Sequence, residues 1–75
     1  MQQMTNGYVA DELMKGNWQI LNAVLEDNLE RTTREQAIRD IHFGWVYFAG
    51  YYIGSGYDQI INSVHQWDAY VGFKP

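Results

Sequence analysis

The sequence has no cysteine, so neither a disulfide framework nor a cysteine-ligated zinc can stabilise it. That absence fits a reducing cytosol and removes two of the usual supports of a small protein. Long apolar runs are missing as well: the longest, from Phe43 to Ile53, is about half of a membrane span. The opening MQQMTNGYVADE has neither the basic start nor the continuous apolar stretch of a secretory signal. A cytoplasmic protein without a membrane partner is therefore expected, in the host cytoplasm if the chain is phage-encoded.

Cations are scarce, five Lys and Arg against nine Asp and Glu, which gives a formal charge of −4 over 75 residues. Phosphate contacts carry most of the affinity of a DNA-binding protein. The segment after Tyr57 offers Asp58, Gln59, Asn62 and Gln66 to a groove but no cation before Lys74, so direct DNA binding is not expected. Serine occurs only as Ser55 and Ser63, and neither lies in a nucleophile-elbow pattern. The adjacent carboxylates Asp11 with Glu12 and Glu26 with Asp27 point about 100° apart on a helix and do not share a reacting atom. IGSGYDQI lacks the GK[ST] ending of a phosphate loop and reads as a turn. His42, His65 and Asp68 are the plausible metal ligands of the C-terminal half, too few for a site, and the two histidines are expected at helix margins, one of them bonded to a tyrosine. Neither an enzyme, a metal nor a cofactor is expected.

What is present is helical periodicity. Between residues 8 and 27, Val9, Ala10, Leu13, Met14, Trp18, Ile20, Leu21, Val24 and Leu25 fall on one half of a wheel, opposite Asp11, Glu12, Lys15, Gln19, Asn22 and Glu26. Thr5 or Asn6 would cap this helix, with Asp11 and Glu12 near the positive end of its dipole. Asn17 is out of place on the apolar face, which suggests an amide bonded to another helix in the core or lying at the margin of packing, or a pair across a two-fold axis. Gly16 beside it would let another backbone approach.

Thr32 and Glu35 match a capping box, and Ala37, Ile38, Ile41, Trp45, Phe48, Ala49 and Tyr52 form the stripe of a second helix. A strand is the alternative for FGWVYFAGYYI, but helical period persists through it and no partner strand exists elsewhere. Gly54 to Gly56 mark a break, with Ser55 and Asp58 as a second capping signature. Tyr57, Ile60, Ile61, Val64, Trp67 and Val71 then form a third stripe, ended by Gly72. The expectation is one all-α domain of three helices over about 6–28, 33–54 and 56–71.

Ten of the twelve aromatics lie from Phe43 onward. A helix that is apolar all round must be covered on more than one side, and a domain this small gains little from one core. Homodimerisation is therefore expected through Phe43, Val46, Tyr47, Gly50, Tyr51, Ile53 and Gly54. Gly50 and Gly54 would ease close approach. The acidic residues of the first helix and its exit, Asp11, Glu12, Glu26, Asp27 and Glu30 against Lys15, could engage a protein with a basic surface. Asp11, Glu12, Glu26 and Tyr70 are the expected partner-binding residues.

By size and composition alone, the expected class is a non-enzymatic inhibitor or adaptor of the phage accessory type, including anti-defence and anti-CRISPR proteins. Two other readings stand beside it. One is a small-molecule or nucleotide binding or sequestering protein, with an aromatic pocket at the dimer interface around Trp45, Tyr52 and Trp67 and a phosphate on Arg34 or Arg39. The other is a structural assembly subunit.

Overall fold

The computed structural model describes residues 4–75. Residues 1–3, the start of the segment read for a secretory signal, lie outside it. The first element is α1 (Asn6–Met14), where Thr5 supplies the cap: its hydroxyl accepts from the Tyr8 N–H at 3.2 Å. No acidic residue lies in its first turn, so Asp11 and Glu12 are too far along to meet the dipole as expected.

The single helix expected over 6–28 is two. Gly16 adopts φ +86°, in the left-handed region that L side chains avoid, and the chain turns there before α2 (Ile20–Asn28). Gly16 thus serves the turn, and no close backbone approach is involved, since a Cβ there would meet nothing within 4 Å. The break also sets aside the core amide and the two-fold pair for Asn17 and leaves the margin of packing. The residue is exposed, outside any helix, and its amide donates to Glu12 Oε2 at 3.1 Å. A polar residue in an apolar stripe marked the end of the stripe rather than a buried pair.

α3 (Arg34–Ala49) is capped by Thr33, whose hydroxyl accepts from Gln36 N at 3.3 Å. The cap falls one residue after the expected Thr32 and Glu35 pair, and the reciprocal half of a capping box is not made, because the Gln36 side chain donates forward to Asp40 Oδ1 at 2.8 Å. The helix tightens into a 3₁₀ turn at Gly50–Tyr52, and Gly54 at φ +88° separates it from α4 (Tyr57–Val71). Ser55 does not cap α4. Its hydroxyl donates to Tyr52 O, and Gly56 takes the cap position without a side-chain bond. Gly72, at φ +79°, ends α4 as expected, and the Phe73 N–H closes on Asp68 O at 2.9 Å. The architecture is all-α with four helices, and no strand occurs among the described residues.

The core gathers Val9, Ala10 and Leu13 from α1, Leu21 and Leu25 from α2, Ala37, Ile38, Ile41, Trp45 and Ala49 from α3, and Ile60, Val64 and Trp67 from α4. Within it, α4 makes one polar contact with each of the other helices. Ser63 Oγ donates to Leu13 O at 2.6 Å, Trp67 Nε1 donates to Asn22 Oδ1 at 3.0 Å, and Asp68 Oδ2 lies 2.7 Å from His42 Nδ1. Burial of apolar side chains supplies the driving force, and these contacts fix the rotation of α4 about its own axis.

Candidate functional site

The outer side of α3 positions the residues of interest. Ile41, Trp45 and Ala49 turn inward, which leaves Asp40, Phe43 and Tyr47 on the opposite side at helical spacing. Tyr51 in the 3₁₀ turn and Ile53 after it continue the strip. These are large side chains held in solvent: Phe43 is 53% exposed, Tyr47 70%, Tyr51 71% and Ile53 75%. Val46 is half-buried, and Gly50 and Gly54 are exposed. No Asp, Glu, Lys or Arg occurs between Asp40 and Asp58, so the strip carries no formal charge at neutral pH apart from any on the buried His42.

The rings are supported from below. Trp45 in the core packs on half-buried Phe48 with centroids 5.5 Å apart, and Phe48 contacts Tyr51 at 5.9 Å and Tyr47 at 6.3 Å. Tyr47 and Tyr51 meet edge to face at 6.0 Å. At the other end Phe43 stands edge-on to Phe73 at 6.3 Å and to the His42 ring at 4.8 Å. Beside the strip, between α2 and α3, lies a recess of about 180 Å³ whose walls include Val24, Asn28, Ile41, Gly44 and Phe48.

Asp11 and Glu26 are exposed on α1 and α2, and Glu12 is half-buried and holds Asn17. Asp27 pairs with Arg31 at 3.1 Å on the surface, where such pairs contribute little. Tyr70, 65% exposed, leans on Trp18 at 5.1 Å, beside the turn between α1 and α2.

Within one chain the elements of the nucleotide reading lie apart. Trp67 has no exposed surface and Trp45 very little. Arg34 and Arg39 line a separate recess of about 330 Å³ with Ile38, Val71 and Phe73. No group of three or more His, Asp or Glu able to hold a metal occurs among the described residues. His42 does not sit at a helix margin as expected: it is buried against the buried Asp68, whereas His65 is exposed. Sequence periodicity missed this pair because it depends on how α3 and α4 face each other.

Comparison with known proteins gives no match: no family model, no curated protein and no solved structure aligns significantly with this chain. No helix among the described residues is long and apolar enough to cross a membrane.

Proposed function

We propose that the protein is a non-enzymatic binding module that acts as an inhibitor or adaptor of another macromolecule and works as a homodimer in the cytoplasm. The carrying observation is the uncharged strip of Phe43, Tyr47, Tyr51 and Ile53, displayed to solvent although the core beneath it is complete. Depletion of charge and enrichment of aromatics mark the centres of protein interfaces. Exposed tyrosines backed by packed rings bury large area with little loss of side-chain freedom.

In this reading the strip pairs two copies, and the exposed acids with Tyr70 are left for the partner. A basic surface on that partner would be attracted by the net charge of −4, and Tyr70 would supply an apolar anchor. A phage-type accessory protein acting on a host enzyme fits this combination of size, acidity and missing catalytic groups.

Native mass spectrometry after incubation with host lysate tests the reading. The expected result is a dimer retaining a protein of definite mass. Charge reversal at Asp11, Glu12 and Glu26 should slow association and flatten its salt dependence, and Tyr70→Ala should speed dissociation. A protein that retains nothing, or whose retained partner ignores all four substitutions, would overturn the assignment.

A further inference from the structure

Three of the five cations of this acidic chain gather where the start of α3 meets the end of α4. Arg34 and Arg39 line the recess of about 330 Å³ there, and Lys74 lines a neighbouring recess that shares Gly72 and Phe73 with it. Among the described residues, Glu35 is the one exposed acid lining either recess, because Asp68 is buried against His42. Lys15 and Arg31 are left to face the other seven acids. The molecule is acidic, but this end of it is locally basic.

The sequence builds the recess from two helix ends. Ile38, buried on the inner side of α3, is its floor, with Arg34 one turn before it and Arg39 directly after it. Gly72, at φ +79°, turns the chain back after α4 and sets Phe73 beside Val71 as the apolar wall. The Phe73 ring is held in turn by His42, with centroids 5.0 Å apart. Both arginines are exposed, and neither is neutralised: the ion pairs among the described residues are Arg31 with Asp27 and His42 with Asp68. Glu35 has the favourable i, i+4 spacing to Arg39, yet that pair is not made. Two guanidinium groups thus stand unpaired on one recess with an apolar floor.

We propose that this recess binds a small organic oxyanion, a phosphate or carboxylate carried on one apolar ring, with Arg34 and Arg39 on the oxyanion and Ile38, Val71 and Phe73 against the ring. A guanidinium presents a planar fork of donors that matches the oxygens of either group, and such charge-assisted bonds are the strong ones. Ligand pockets run upward from about 300 Å³, so a recess of about 330 Å³ limits the ligand to a head group and about one ring. The net charge of −4 opposes an anion only at long range, since charges more than about 8–10 Å away are largely screened at physiological salt. The site is complete within one chain and shares no lining residue with the aromatic strip or with the acids of α1 and α2. It depends on neither the dimer nor the adaptor reading.

Calorimetric titration and amide NMR with phenyl phosphate, inorganic phosphate and phenol test the site. Phenyl phosphate should bind at least about tenfold more tightly than either fragment, since only it engages both the arginines and the apolar wall. Its amide shifts should centre on residues 34–39 and 71–74. Arg34→Gln and Arg39→Gln should each weaken it by about tenfold, as loss of a hydrogen bond to a charged group does. Both side chains are exposed and unpaired, so the thermal midpoints of these variants should match wild type. Arg31→Gln removes the same charge outside the recess and should leave binding unchanged. No binding of phenyl phosphate at millimolar concentration would overturn the proposal. Equal losses from Arg31→Gln and the two recess variants would do the same, by showing attraction to cations in general. Inorganic phosphate binding as tightly as phenyl phosphate would remove the ring from the site and refute the ligand class.

Discussion

His42 Nδ1 lies 2.7 Å from Asp68 Oδ2, with both side chains buried between α3 and α4. The contact is close but the ring N–H is not aimed along it, and Asp68 Oδ1 has no partner. The two residues are therefore unequal. His42 also packs against the rings of Phe43 and Phe73, at 4.8 and 5.0 Å, so a neutral imidazole left alone still has apolar neighbours. Asp68 left alone is a buried carboxylate with neither oxygen satisfied. His42→Leu should destabilise the fold by about 3–5 kcal/mol, the range for breaking a buried pair. Asp68→Leu should cost less, and the double variant less than His42→Leu alone. Urea midpoints at neutral pH measure the order, and an Asp68 variant weaker than the His42 variant would contradict this account.

Trp67 has no exposed surface, and its indole N–H is satisfied by Asn22 from α2. Asn22→Leu strands that donor in the interior at a cost of about 1–3 kcal/mol. Ser63→Ala removes the hydroxyl bonded to Leu13 O, and with it a bond worth about 1 kcal/mol. Asn22→Leu should thus lower the thermal midpoint more than Ser63→Ala. Equal shifts, or none for Asn22→Leu, would show that the indole finds another acceptor.

These contacts also show what sequence reasoning could reach. The periodicity from Ala37 to Tyr52 and from Tyr57 to Val71 located α3 and α4, because one buried stripe per helix leaves a period that can be counted. The division between α1 and α2 was present as Asn17 on an apolar stripe beside Gly16, but a wheel treats such a residue as an anomaly of one helix. The cap of α3 was ambiguous by one residue, since Thr32 with Glu35 and Thr33 with Gln36 both fit the same box. The strip on α3 was legible because apolar residues around the full circumference exceed what one core can cover. His42 with Asp68, and Asn22 with Trp67, were not legible: each is set by the relative rotation of two helices distant in sequence.

Gly56 and Met14 meet at a tight packing point. A Cβ on Gly56 would lie 2.1 Å from Met14 Sδ and 2.8 Å from its Cγ, where α1 meets the start of α4. A side chain there must therefore displace the Met14 thioether. Gly56→Ala should destabilise by about 1–3 kcal/mol, as overpacking does, and Met14→Ala in the same chain should recover part of the loss. If Gly56→Ala matches wild type in a thermal melt, Met14 moves aside freely and the contact sets nothing.

Tyr8 and Glu12 lie one turn apart on α1, and the Tyr8 phenol is held above the usual tyrosine value by desolvation first and then by the Glu12 carboxylate. The folded state therefore favours the neutral phenol. Below the unfolded value of about 10 the resulting stabilisation is fully present, and it is lost as pH rises through the higher folded value. Glu12→Gln removes the like charge, so it should lower the Tyr8 ionisation toward the ordinary value while leaving the part due to desolvation. Tyr8→Phe should abolish the contribution of this residue to alkaline destabilisation. Ring NMR of Tyr8 together with denaturation midpoints through the alkaline range measures both. Ionisation of Tyr8 at or below the free tyrosine value, or no response to Glu12→Gln, would reverse the sign argued here.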